Sequence, residues 1–261
     1  MKIYQVDSFT EHPFSGNPAG VCIYENEMTE DFMQKISMEM NLSETAFLKI
    51  VNDEVHIRFF TPEKEVHLCG HATLASAFIL YEKGYFTEET DINFHSKGGL
   101  LKISKEKEYI KMIFPKYDLF ESDVTKIPDI FGVTPSESYN SSYNWKLLYF
   151  NDEEDIVNLK LNFLTMKESG LGHLMVTAPS KRTDVDFVLR CFAPDLGINE
   201  DPVTGSAMCA LIPFWYCKTG KKTFNSLQLS KRRGNLKCTY ENNEVTIMGK
   251  AVEIFEIELK I

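Results

Sequence analysis

Apolar and polar positions alternate over Lys2–Phe9 and again over Ala19–Tyr24, with Gly16-Asn17-Pro18 between them. This period of two predicts the strands of a β-hairpin joined by a wide loop. From Thr29 the period lengthens to that of a helix: Phe32, Met33, Ile36 and Met40 share one face behind acidic Glu30 and Asp31, and the pattern ends near Asn41. Strands are predicted at Thr45–Val51 and Val55–Phe60, turning at Asn52-Asp53. A helix over 71–84 and antiparallel strands at Asp91–His95, Leu100–Ser104 and Tyr109–Phe114 follow. Residues 115–142, rich in Asp, Ser, Pro and Asn, read as a crossing to a second lobe, with one short helical piece at Ile127–Phe131. The theme then returns, with strands at Lys146–Phe150, His173–Ala178 and Val185–Phe192, a helix over 205–218, and further strands. The expected division is 1–115 and 116–261, with a C-terminal strand free to cross back into the first lobe.

The return is literal in places. Arg58-Phe59-Phe60-Thr61-Pro62 is matched by Arg190-Cys191-Phe192-Ala193-Pro194, and Leu68-Cys69-Gly70-His71-Ala72 by Val203-Thr204-Gly205-Ser206-Ala207. The first pair lies 132 residues apart and the helix openings 135, half the chain, which implies two duplicated lobes rather than an array whose period runs ~20 to 50 residues.

Composition narrows the function. A net charge of −10 with pI 5.2 opposes a polyanion, and the only basic cluster, Lys231-Arg232-Arg233, reads as a solvated turn, so no nucleic-acid role is expected. The longest apolar runs are far too short to span a bilayer, and the N-terminal stretch alternates like a strand without a signal core, so a cytoplasmic protein with no membrane partner is expected. Six scattered cysteines with no C-x-x-C pair read as reduced thiols.

Candidate chemistry gathers around the repeated helix openings. A glycine where loop becomes helix lets the first free N–H groups face an anion, so Gly70-His71 and Gly205-Ser206 could together hold a carboxylate in an interlobe cleft; equally, the glycines could serve helix packing. Glu44, between a helix end and a strand, and Asp201, just before the second opening, are candidate proton-transfer acids, or a strand-end residue and a turn acid. His67-x-Cys69-x-His71 could present three metal ligands along a strand, but no suitable fourth stands nearby and His71 falls inside the helix turn, so no metal is expected. Cys69 at a helix N-terminus could be a stabilised thiolate, or a buried thiol.

Four ordered stretches, VDSFTEHPFSGNPAGV, NLSETAF, RFFTPEKEVHLCGHATLA and FAPDLGINEDPVTGSA, carry a resemblance over nearly the whole chain to the phenazine-biosynthesis-like (PhzF-like) isomerases. The resemblance implies an α+β fold of two pseudo-symmetric lobes, each a mostly antiparallel, barrel-like sheet around a central helix, as in diaminopimelate epimerase. It places the catalytic roles on Glu44, His71, Asp201 and Ser206, with Glu44 moving a proton between carbons of a small carboxylate-bearing metabolite without metal or organic cofactor. Asn17, Ser43, Cys69, Gly70, Thr204 and Gly205 are the expected substrate-binding positions, and a homodimer is the expected assembly. Two features depart from the family pattern: Arg233 stands where the first of two glycines is usual, and the connection into the second lobe is short. The epimerase cousins carry a thiol in each lobe, whereas here the pair is Cys69 and Thr204, so a one-cysteine epimerase or dehydratase is the alternative. A non-catalytic small-molecule binding protein would keep the lobes and the helix openings but would not need Glu44.

Overall fold

In the computed structural model, which describes residues 1–260, the chain runs through β1 (Lys2–Ser8), β2 (Asn17–Ile23), α1 (Glu30–Met40), β3 (Glu44–Val51), β4 (Glu54–Phe60), β5 (Glu65–Val66), α2 (Gly70–Glu82), β6 (Ile92–Ser96), β7 (Gly99–Glu106) and β8 (Tyr109–Pro115). It continues through β9 (Leu119–Ser122), β10 (Glu137–Ser141), β11 (Lys146–Tyr149), α3 (Glu153–Val157), α4 (Phe163–Glu168), β12 (Leu174–Pro179), β13 (Phe187–Ala193), β14 (Ile198–Asp201), α5 (Met208–Thr219), β15 (Thr223–Gln228), β16 (Gly234–Glu241), β17 (Glu244–Gly249) and β18 (Ala251–Glu258). Two compact units result, one of residues 1–114 with the chain from Thr246 onward, the other of Pro115–Val245. The last strand therefore belongs with the first unit, and the expected second lobe of 116–261 is shortened by that crossover.

Local chemistry explains the first unit. Thr29 caps α1 by accepting a hydrogen bond from Phe32 N, and Asn41 closes it in the left-handed conformation at φ 50°, so the chain leaves the helix abruptly and enters β3 at Glu44. Asn52 and Asp53, at φ 51° and 66°, form the tight turn that brings β4 back antiparallel to β3. β2 and β3 pair in parallel across α1, with Ala19 beside Glu44, and β18 runs antiparallel to β1. Helix α2 has no polar face: His71–Ala77 and Ile79–Tyr81 are all buried, as expected of a helix enclosed on every side. Under α1, Phe47 and Phe60 meet edge to face at 5.5 Å in a cluster with Ile3, Met33 and Ile36.

The second unit repeats the order element by element. β11 and β12 pair in parallel across α3 and α4, β12 and β13 antiparallel, and β15 returns parallel to β13 after α5, as β6 returns to β4 after α2. Even β9 beside β10 matches β18 beside β1. Met208–Ile212, Phe214 and Trp215 of α5 are buried; Trp215 stacks on Phe187 at 5.2 Å and donates its indole N–H to Thr177 Oγ1 at 3.1 Å.

Several expectations are corrected. Residues 115–142 hold β9 and β10 rather than a plain crossing, and the short helical piece falls on Val124–Lys126, capped by Asp123, rather than on Ile127–Phe131. Pro128 is the reason: the residue before proline is pushed out of the helical region, and Ile127 sits at ψ 124°. The second central helix opens with a 3₁₀ turn over Gly205–Ala207 before α5 begins.

Candidate active site

In the first unit three side chains separated by up to 27 positions converge. Glu44 is the first residue of β3, Cys69 is the N-cap of α2, and His71 is in the first turn of that helix. His71 Nε2 lies 3.2 Å from Glu44 Oε2, and its other nitrogen, Nδ1, lies 3.2 Å from Asn17 Nδ2 and 3.4 Å from Cys69 Sγ. Cys69 and His71 meet although only two positions apart because Cys69 is still extended, at φ −146°, when the helix begins. Ser8 donates its hydroxyl to His71 O at 2.8 Å and Thr73 to Cys69 O at 2.7 Å, fixing the turn from the strand side and the helix side.

Charge and tautomer follow from these partners. Burial pushes the His71 imidazole down to about 3, so it is neutral at physiological pH. The amide NH₂ of Asn17 can only donate, so Nδ1 is an acceptor and the imidazole proton rests on Nε2, the nitrogen beside Glu44. A carboxylate in this position has a neutral N–H donor next to it.

The second unit builds a different cluster at the matching place. Thr204 precedes the 3₁₀ turn as Cys69 precedes α2, and its hydroxyl donates to Asp201 Oδ2 at the end of β14. The buried Gln228 accepts from Thr204 N at 2.8 Å and donates through Nε2 to Asp201 O at 2.7 Å and Thr204 Oγ1 at 3.2 Å. Ser230 donates to Pro202 O at 2.7 Å and accepts from Arg233 N, and Arg233 takes φ 57° where a glycine would be unstrained. Gln228 and Ser230 were not among the expected site residues; their signal was the short Gln-x-Ser stretch after α5. Ser206 and Gly205 sit in the turn, Ser206 half-buried, and Ser43 is half-buried between Asn41 and Glu44. His67 is exposed, and among the described residues the set able to hold a metal is Glu44, Cys69 and His71 rather than the His67-x-Cys69-x-His71 trio that the spacing offered.

The doubled Arg-x-Phe motif has a common function in the two units. Arg58 grips Glu65 with Nε and a terminal nitrogen, each at 2.7 Å, and lies 5.1 Å over the Phe60 ring; Arg190 grips Glu200 at 2.7 and 3.0 Å and lies 5.0 Å over Phe192. Each clamp ties the edge of a strand to the segment leading to the helix opening, Glu65 toward Cys69 and Glu200 directly before Asp201.

Comparison with known proteins bears on this arrangement. Residues 6–257 match the phenazine biosynthesis-like protein family. An uncharacterized isomerase of Halalkalibacterium halodurans is 41% identical over 259 residues, covering 98% of this chain and 97% of its own. A phenazine biosynthesis PhzF family protein of Enterococcus faecalis superposes with a TM-score of 0.93 at 37% identity, over 100% of this chain and 99% of that one. A probable proline racemase of Agrobacterium radiobacter shares the fold, with a TM-score of 0.68 at 10% identity, over 100% and 93% of the two chains. The fold is thus the mixed, strand-rich one common to racemases and PhzF proteins. The chain belongs to the phenazine biosynthesis-like family. Its enzyme class is that of its bacterial relatives, the isomerases.

Proposed function

We propose that this protein moves a proton between carbons of a small carboxylate-bearing metabolite, with Glu44 as the general acid and base. The observation that carries the reading is Glu44 at the foot of a buried helix, 3.2 Å from a neutral imidazole whose proton is on the near nitrogen. A carbon acid demands a carboxylate partly withdrawn from water, so that its pKa moves toward the working pH, and the Glu44 side chain is only 13% exposed. Glu44 takes the proton from one carbon; His71 donates through Nε2 to the carboxylate or to charge developing on the substrate; Glu44 then returns the proton to another carbon. The substrate's carboxylate is received by backbone N–H groups at the helix opening after Cys69, whose side chain makes no capping hydrogen bond to them. Asp201 and Ser206 are assigned substrate-orienting roles in this proposal, and the working assembly is a homodimer.

A second reading rests on the 3.4 Å approach of Cys69 Sγ to His71 Nδ1, which suits a one-cysteine epimerase or dehydratase. Its difficulty is the other unit, where Thr204 stands in place of a second thiol and already donates its proton to Asp201. Small carboxylates incubated in deuterated buffer distinguish the two. Deuterium gained at carbon with the wild type and lost in Glu44→Gln supports the first reading; loss in Cys69→Ala with retention in Glu44→Gln supports the second.

A further inference from the structure

We infer that Glu44, Cys69 and His71 form a binding site for a thiophilic divalent cation such as Zn²⁺. One carboxylate oxygen, one sulfur and one imidazole nitrogen all lie within 4.8 Å of one another. His71 Nε2 is the nitrogen that closes the set, 3.2 Å from Glu44 Oε2 and 3.9 Å from Cys69 Sγ. With Zn–S of ~2.3 Å and Zn–N and Zn–O of ~2.0 to 2.2 Å, the edges of a tetrahedron around the ion are ~3.3 to 3.6 Å, so the two edges at His71 need shifts of a few tenths of an ångström, and the Glu44–Cys69 edge, within 4.8 Å, closes by at most ~1.2 Å through side-chain rotation. Three protein ligands from two rigid elements leave a fourth position for water or a substrate oxygen. Binding forms Zn–S, Zn–N and Zn–O bonds and releases the Cys69 thiol proton and the Nε2 proton, one to solvent and one to Nδ1 of the same ring.

That relocation makes a specific demand on Asn17. With the metal on Nε2, Nδ1 must donate, yet it now faces the Asn17 amide NH₂ at 3.2 Å. A half-turn of the amide presents Oδ1 instead, giving the outer partner that metal-bound imidazoles require. The apo cluster is therefore set for proton transfer and the amide-flipped cluster for metal, and the two states exclude each other. A metal that occupies Glu44 silences the isomerase, a consequence that rests on the proposed role of Glu44, whereas the site itself does not.

The test uses Co²⁺ and Zn²⁺ with the reduced full-length protein and needs no substrate. One equivalent of Co²⁺ is expected to give a thiolate-to-cobalt charge-transfer band that Zn²⁺ bleaches. The band is lost in Cys69→Ala and Cys69→Ser, weakened in Glu44→Gln, and kept in Cys217→Ser, which removes the exposed thiol. Asn17→Asp, whose side chain can only accept, tightens the metal by about 10-fold. Melting curves verify that each variant is folded, and the serine variant serves if alanine at 69 is not. No band at one equivalent, a band that survives both Cys69 variants, or one that disappears with Cys217→Ser overturns the site.

Discussion

Replacing Arg58 with Met tests whether the repeated clamp is structural. The guanidinium makes two bonds to Glu65 and one, at 2.6 Å, to Glu30, and Glu65 is only 9% exposed whereas Glu30 is 65% exposed. Removing the arginine leaves a nearly buried carboxylate with Lys97 as its remaining cation. A fully buried pair broken from one side costs about 3 to 5 kcal/mol; with Arg58 itself 26% exposed and Lys97 in place, about 2 to 3 kcal/mol is expected. Glu30→Gln, which removes only the exposed arm, should cost under about 1 kcal/mol. Acid should erase the difference. Arg58 holds the Glu65 carboxyl below its ordinary 4.5, against the opposing effect of burial and with help from Lys97. A depressed carboxylate contributes stability that is complete above the unfolded value and disappears as pH falls through the folded one. Urea unfolding of wild type, Arg58→Met and Glu30→Gln at pH 7 and again below pH 4 should show the Arg58 penalty at neutral pH and its shrinkage in acid. A penalty no larger than that of Glu30→Gln, or one equal at both pH values, would refute the reasoning.

Gly16→Ala should lower stability by at least about 2 kcal/mol in a thermal melt, because Gly16 is at φ 67° and an added Cβ would meet Ser8 O at 2.1 Å. Gln228→Leu, which abandons Thr204 N and Asp201 O in a buried setting, should cost about 2 to 3 kcal/mol and reduce kcat more than a matched surface mutation; an unchanged melt would remove Gln228 from the second cluster. Gly205→Val should weaken binding of a small carboxylate, measured by calorimetry, by obstructing approach to the backbone; unchanged affinity would make the glycine a packing residue.

What the sequence revealed and what it concealed divide along physical lines. Local signals carried far: Thr29 and Asn41 bracket α1, Asn52-Asp53 make the turn, and the apolar stretches at 71–81 and 208–215 are the two enclosed helices. The doubled motifs pointed to duplicated elements because each copy uses the same clamp and the same helix opening. Strand β9 was concealed because none of its residues is buried, β10 because its buried residues are Ser138 and Ser141 rather than apolar ones, and α3 and α4, at five and six residues, are too short to show a period. The meeting of Glu44 with His71 depended on parallel pairing of β2 with β3, a long-range fact with no local trace. Gln228 remained hidden for a similar reason, since a lone polar residue in a strand declares its partners only once β14 and the 3₁₀ turn are beside it.

The role proposed for Glu44 is proton transfer at carbon. The direct measurement is incorporation of solvent deuterium into a panel of small carboxylates, followed by mass spectrometry, for wild type, Glu44→Gln and Cys69→Ala. Losing a general acid–base group lowers the rate about 10²- to 10⁴-fold. Exchange by the wild type, a loss of that order in Glu44→Gln with its melting curve intact, and continued exchange in Cys69→Ala are expected; exchange that persists in Glu44→Gln would contradict the proposed role.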